Sequence, residues 1–521
     1  MIYSVIKKIL PVLLIVQACS TNIFSQDTTK SLAFKNNKPE RRTTFFYQPD
    51  LAYQIWQQFN LMREANAGDA LAQHELGIRY LLGEGFDADT VQGAYWVKKA
   101  ADQNLMAAKF NYGILLINGW GVEWNPFEAY KCFLEAANSG MNQAQYILGL
   151  FYADNLVVKR NWNKAYYWVK KAADGGFEEA KKIIPEFEEK VPLKMTDTSS
   201  IFTESDTLEL NDSQKNKSLT SSIGLVYIDF DLLADSVRTV IEKDLLTDLL
   251  NTGNDSLADT LGIKDKDDST AVYDSYRLDE LNSFANTGSP EALTLLGRFY
   301  ETGFIFEKNL ITASMYYLRA VRMDSPRAPF LLFEILKDEN FHTNLQQRVK
   351  DDDADAMFVW YSLSILGFDN RIAIKDAMDL LIKAASKNHL PSIVELGLNY
   401  YIGKNLIQNH SEAVKLWLQA AKLGSKEAEV RIETAKIFGY IDSENILYSV
   451  NRLKEFSEQG SVLAQVTIAY CYEQGIGLKK SVADAVKYYR FAAQRGSRYA
   501  YNELKRLYDS IRPAGSEYSI N

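Results

Sequence analysis

The sequence predicts an all-α fold, an α/α solenoid of helix-turn-helix repeats about 36 residues long, arranged in two arrays. Three observations predict it. A small residue recurs at Ala72, Ala108 and Ala144, and again at Ala292, Ala328, Ala356, Ser392, Ala428, Ala464 and Ala500; every step within the two runs is 36 residues except one of 28, from Ala328 to Ala356. Five residues further on, Gly77, Gly113, Gly149, Gly297 and Gly397 keep the same register, with Ala469 in the last unit. Between these markers, apolar residues three and four apart describe two amphipathic helices per unit.

Composition sets the outer bounds. With 521 residues, a prior of about 150 residues per domain predicts three or four ordinary domains, a limit that a repeat array escapes. Hydrophobic residues make up 47% and charged residues 24%, so the bulk of the chain folds. The net charge of −9 argues against general affinity for nucleic acid or anionic lipid, which needs clustered Lys and Arg. The acidity is local: residues 185–278 carry 20 acidic and 9 basic side chains, and the rest of the chain sums to about +2.

The first element is an export signal over 1–18. Lys7 and Lys8 precede an apolar run from Ile9 to Val16, too short to span a bilayer, and small residues follow at Ala18 and Cys19. Val16-Gln17-Ala18-Cys19 is similar to a bacterial lipobox, which implies lipidation of Cys19; ordinary cleavage after Ala18 or nearer Ser25-Gln26 is the alternative. Cys132 and Cys471 lie too far apart in sequence to predict a disulfide framework.

A tether over 19–48 leads to the first array, 49–184, in which Pro49 to Asn66 reads as a capping helix before three repeats. Helix starts are legible: Asn125 can cap, Pro126 suits the first helical position and Glu128 completes a capping box, an arrangement repeated by Ser481 and Asp484. Stops are legible too. Gly68, Asn104, Gly140 and Gly176, then Gly288, Asp324, Asp352, Asn388, Gly424, Gly460 and Gly496, are residue types that tolerate a left-handed backbone. Gly77 and its equivalents fall inside the first helix, where glycine costs roughly 1 kcal/mol relative to alanine, so they imply close approach of a neighbouring helix.

Residues 185–224 have few large apolar side chains and predict an acidic, disordered linker. Apolar spacing returns over 225–287, a degenerate helical segment. The second array, 288–511, holds about six repeats and ends in a helix from Ser497 to Ile511, followed by a tail over 512–521.

Gly83-Glu84-Gly85-Phe86, Gly119-Trp120-Gly121-Val122 and Gly475-Ile476-Gly477-Leu478, together with Leu76-Gly77, Tyr80, Ala94, Trp96 and Lys99-Ala100-Ala101, resemble the Sel1-like repeat, a relative of the tetratricopeptide repeats. The third unit departs from the pattern, with Ala153-Asp154-Asn155 in place of Gly-x-Gly, and the shortened fifth unit lacks a recognisable loop. The resemblance implies a right-handed superhelix and an adaptor that assembles protein complexes.

No catalytic or metal constellation emerges, and no cofactor is expected. His74-Glu75 opens a zinc-protease helix motif, but position 78 is Ile. The only Ser-x-x-Lys is Ser4 to Lys7, within the signal. Some Sel1-like proteins are cysteine-rich and linked to β-lactam binding; this chain lacks their paired cysteines. The Gly-x-Gly turns lack the third glycine and the preceding strand of a dinucleotide site. Trp120 and Trp124 bracket the loop of the second unit and are the candidate binding residues, with packing onto their own helices as the alternative. The recurrent aromatic clusters Tyr95-Trp96, Tyr166-Tyr167-Trp168, Tyr316-Tyr317 and Tyr488-Tyr489 read as core and inter-repeat packing.

These readings converge on a non-enzymatic scaffold, exported to the periplasm or cell surface, outer-membrane lipoprotein included. It binds a protein or peptide in the groove of the superhelix, does not bind nucleic acid, and touches membrane only through Cys19. An envelope hydrolase or regulatory subunit of a peptidoglycan enzyme is one alternative, and a passive structural spacer another.

Overall fold

The regular spacing of apolar side chains becomes helix throughout the computed structural model, which describes residues 51–188, 190–191, 275–303 and 305–520. The signal over 1–18, Cys19, the tether and most of the segment 185–274 lie outside the described residues. Among those described there are 22 α-helices and no strand. The fold is an α/α solenoid.

Two compact units make up the chain. In the first, α1 (Leu51–Ala67) precedes three pairs: α2 (Ala70–Leu82) with α3 (Thr90–Asp102), α4 (Met106–Asn118) with α5 (Pro126–Asn138), and α6 (Asn142–Asp154) with α7 (Trp162–Asp174). Then α8 (Glu178–Glu188) follows, running past residue 184 through Pro185. The first unit also takes in the C-terminal segment Pro513–Asn521.

The second unit opens with α9 (Ser275–Asn286), α10 (Pro290–Thr302) and α11 (Leu310–Arg322). A short pair follows, α12 (Ala328–Leu336) and α13 (Phe341–Lys350), of 9 and 10 residues; their shortness absorbs the 28-residue step. Regular pairs resume with α14 (Ala354–Leu366) and α15 (Ile374–Ser386), α16 (Leu390–Ile402) and α17 (His410–Lys422), α18 (Lys426–Ile437) and α19 (Ile446–Glu458), and α20 (Val462–Gln474) and α21 (Val482–Gln494). The last helix is α22 (Arg498–Ser510).

The recurring glycine meets one partner in each unit. A Cβ on Gly77 would lie 2.7 Å from Val97 Cγ2 and 2.8 Å from the Gly93 carbonyl oxygen, and on Gly149 it would lie 2.6 Å from Val169 Cγ2. Gly113 faces Phe133, Gly297 faces Tyr317 and Gly397 faces Trp417 in the same way. Each partner stands twenty residues downstream, on the second helix of the same pair. Crowding of this kind offsets the weak helix propensity of glycine, because any side chain must push the pair apart.

Punctuation follows the same clock. All eleven expected helix stops have positive φ, from 60° at Asp324 to 101° at Gly496. Asn155 takes the left-handed turn in place of glycine, with φ 58°, and its Oδ1 accepts from the Arg160 N–H at 3.0 Å, so the third pair keeps a regular turn. In six loops the backbone N–H of the capping residue donates to a carbonyl nine residues earlier: Asp89 to Tyr80, Asn125 to Leu116, Asn161 to Tyr152, Asn309 to Tyr300, Asn409 to Tyr400 and Ser481 to Tyr472, all at 2.8–3.0 Å. Asn125 Oδ1 caps the Glu128 N–H at 3.0 Å, and Ser481 Oγ caps that of Asp484 at 3.2 Å.

Successive pairs are joined by buried amides. Gln73, Gln145 and Gln465, each beside the recurring alanine, donate from Nε2 to the carbonyls of Ala65, Ala137 and Ser457 at 3.0, 3.2 and 3.3 Å. These bonds satisfy polar groups that would otherwise be costly to bury, and fix each first helix against the end of the preceding one.

Candidate functional site

Two regions present side chains suited to recognition. In the first unit, the α4–α5 loop is pinned at Gly121, where a Cβ would lie 1.9 Å from the Thr90 carbonyl oxygen, so that no side chain fits. This places Trp120 outward, 44% exposed, while Trp124 is 7% exposed and packs inward. Below the loop, Phe127 and Tyr130 of α5 are buried, and the Tyr130 and Tyr152 hydroxyls lie 2.9 Å apart. Lysines cover aromatic faces along the second helices: Lys99 over Tyr95 at 4.7 Å, Lys171 over Trp168 at 5.0 Å and Lys164 over Tyr152 at 5.4 Å. Trp96, Trp168, Tyr317 and Tyr489 are buried, as packing residues should be, whereas Tyr95 is 49% exposed.

In the second unit a cleft is lined by Phe358 of α14, Pro391, Val394 and Glu395 of α16, Glu427 and Arg431 of α18, and Arg319, Arg322 and Met323 at the end of α11. First helices thus supply most of the lining. Arg322 pairs with Glu395 at 2.9 Å; Arg319 and Arg431 both reach Glu427, at 3.3 and 3.0 Å. Tyr361 donates to Glu395 at 3.0 Å and accepts from Asn399 at 2.8 Å. Burial pushes the Glu395 carboxyl up against the pull of Arg322. For Glu427 burial acts in the same direction, but Arg431 and Arg319 together outweigh it and hold the carboxylate down. Three guanidiniums face two carboxylates here. The Nε–H groups of Arg319, Arg322 and Arg431 are buried without a hydrogen-bond acceptor among the described residues.

The groups most able to catalyse are otherwise engaged. His389 links Asp355, 3.1 Å from Nε2, to Ser392, 2.7 Å from Nδ1, and so has the partners of a nucleophile relay. Ser392, however, is 0% exposed, on the repeat's small-residue position, out of reach of any substrate. His342 sits between Asp369 and Arg371, His410 packs on Tyr401 and Tyr440, and His74 bonds Asn111. Burial pushes the free thiols of Cys132 and Cys471 up to about 12, which leaves both inert. Among the described residues no group of three or more His, Cys, Asp or Glu is placed to hold a metal ion, and no helix is long and apolar enough to cross a membrane.

The repeat geometry agrees with comparisons to known families. The Sel1 repeat model matches residues 70–105, 107–141, 142–177, 290–325, 391–425 and 462–497, the six pairs whose loops close with the nine-residue hydrogen bond. These six helix pairs are Sel1 repeats. Sel1-repeat proteins are in general protein-interaction scaffolds.

Among curated relatives, the chain is 30% identical over 144 residues to protein sel-1 homolog 2 of Rattus norvegicus, covering 26% of this chain and 20% of that one. It is 31% identical over 136 residues to a chitin synthase regulator of Saccharomyces cerevisiae, covering 25% and 19%. The chain thus spans about one fifth of the length of the curated relatives it matches. Solved structures that align with it include a protective antigen of uropathogenic Escherichia coli with an SLR fold, at 19% identity, 87% and 83% coverage and a TM-score of 0.30. Another is a Sel1 repeat protein from Oxalobacter formigenes, at 32% identity, 25% and 98% coverage and a TM-score of 0.24.

Of the residues singled out in the sequence, Trp120 and Trp124 share a loop but differ sixfold in exposure. The cleft of the second unit was not foreseen. Its residues come from α11, α14, α16 and α18, and no local motif relates Arg319 to Glu427, 108 residues away.

Proposed function

We propose that this protein is a non-enzymatic interaction scaffold of the bacterial envelope, which holds a partner protein or peptide along the inner side of its helix pairs. The observation that carries this reading is the cleft of the second unit, where Arg319 and Arg322 of α11 and Arg431 of α18 stand against Glu395 of α16 and Glu427 of α18. The side chains of Arg319, Arg322 and Arg431 keep 13%, 18% and 13% exposure there, and guanidiniums favour a segment that brings carbonyl or carboxylate oxygens. Exposed Trp120 supplies a second contact, with Trp124 buttressing its loop.

A photo-cross-linking residue at Met323, which lines the cleft, is expected to yield one stoichiometric adduct in the native envelope and to lose it in an Arg322→Ala, Arg431→Ala background. A passive spacer would give no adduct. Turnover of peptidoglycan or a β-lactam reporter by the purified chain would favour an enzyme instead.

The N-terminal pattern supports export and acylation at Cys19. Labelling with a palmitate analogue should mark the native chain and spare Cys19→Ala; an unlabelled native chain removes the anchor.

A further inference from the structure

The C-terminal segment contains one buried side chain among exposed ones. From Ala514 to Ser519 every residue is exposed except Tyr518, which is 2% exposed. Ser516–Tyr518 form a single 3-10 turn, closed by the Tyr518 N–H donating to the Gly515 carbonyl at 3.3 Å. This turn presents the ring as a knob.

The knob enters an aromatic pocket of the first unit. Its ring centroid lies 5.3 Å from that of Phe127 at 89° and 6.3 Å from that of Tyr130 at 81°, both edge-to-face, and Lys131 Nζ lies 5.9 Å from it. Glu517 is close enough to help raise the titration of the Tyr130 hydroxyl, after burial and the neighbouring Tyr152. Phe127 is the telling residue. Thirty-six residues earlier the equivalent position holds Val91, 62% exposed, and thirty-six later it holds the polar Asn163. In the second pair alone of this unit, a large aromatic stands at that place, and an aromatic side chain covers it.

We infer that Phe127, Tyr130 and Lys131 form a recognition pocket for an aromatic residue preceded by an acidic one in a short turn, and that Glu517-Tyr518 is its resident occupant. A partner peptide of the same chemistry must displace this segment. Tethering gives the resident an effective concentration in the millimolar range, so it competes well even if its intrinsic affinity is weak. The inference deepens the scaffold reading and relies on it for the existence of a partner; the peptide experiment tests the pocket by itself and can fail while that reading stands.

The probe is a fluorescein-labelled peptide with the sequence of residues 512–521, titrated into the full chain. It is expected to bind the Tyr518→Ala chain saturably, and the native chain at least about tenfold more weakly because the resident competes. A probe carrying alanine at the tyrosine position should not bind. Phe127→Ser added to Tyr518→Ala should abolish binding; because that change can disturb the fold, the surface variant Lys131→Glu provides a second test, expected to weaken binding several-fold through repulsion of Glu517. Absence of binding to the Tyr518→Ala chain overturns the pocket. Equal affinity for the native and Tyr518→Ala chains overturns the resident occupant.

Discussion

Arg495→Ala is expected to destabilise the second unit by about 3–5 kcal/mol, the typical cost of leaving a buried charge without its partner. Arg495 and Glu291 are 7% and 6% exposed, and the contact is bidentate, Nε to Oε1 at 2.8 Å and Nη2 to Oε2 at 2.7 Å. Arg495 Nη1 also donates to the Gly460 carbonyl, and Ser289 Oγ donates to Glu291 Oε2 at 2.9 Å, so every charge in the group is held by several bonds. Glu291 lies in the first turn of α10, where the helix dipole favours a carboxylate. The residues are 204 apart, and their pairing ties the first regular repeat of this unit to its last.

Truncation at 495 strips Glu291 of both guanidinium bonds while it stays buried. Because a chain of two units does not unfold in one step, the loss is best read by hydrogen exchange of peptides from α10 and α21, with the first unit as internal reference. Protection should fall in both helices together. A paired replacement, Glu291→Met with Arg495→Met, should recover most of the loss, since apolar groups of similar size need no partner. Unchanged exchange in Arg495→Ala would show that the pair adds nothing to the closure of this unit.

That pair also marks the boundary of what the sequence could tell. Periodicity reports how a residue meets its neighbours within a repeat. It foretold the crowding at Gly77, because the missing side chain has its counterpart on the next helix, and it foretold the stops at Asn104 and Asp352, whose positive φ depends only on local backbone preference. Which distant repeats come together depends instead on a small rotation accumulated over successive pairs, and no residue type encodes that rotation. Hence neither Glu291–Arg495 nor Arg319–Glu427 was legible, although all four residues are conspicuous charges on helices that were.

The candidate site divides in the same way. Trp120 and Trp124 could be assigned to one loop from Gly119-x-Gly121, but which of them faces outward is set by Gly121 lying against α3, a contact between repeats. Tyr518 had no signal at all: a tyrosine in a short polar tail looks solvated until the pocket that receives it is built. An Asp–His–Ser relay at Asp355, His389 and Ser392 was equally invisible, and burial of Ser392 explains why its geometry does not make it reactive.

Acidification should weaken the first unit through one histidine. His74, on α2, is 2% exposed, and its Nε2 lies 2.7 Å from Asn111 Nδ2 on the first helix of the next pair. Burial lowers its pKa from 6.5 to about 4, so the folded unit keeps the ring neutral until well into acid. The unfolded chain takes up that proton near pH 6.5. Above this pH the ring is neutral in both states and contributes no pH dependence; as pH falls from 6.5 towards 4, only the unfolded state is protonated and stability is lost. Below about pH 4 both states bind the proton and the loss levels off, at about 3 kcal/mol for a shift of this size.

Carboxylates titrate in part of the same window, so the informative quantity is a difference. His74→Gln retains a side-chain oxygen for Asn111 and has no proton to gain. It is expected to cost stability at pH 7.5, where packing alone is compared, and to cost less or even stabilise at pH 4.5. The crossover should appear in the exchange of α2 and α4 peptides measured at both pH values. If the cost of His74→Gln is the same at pH 7.5 and pH 4.5, the imidazole is not held neutral by its burial, and the acid sensitivity of this unit has another origin.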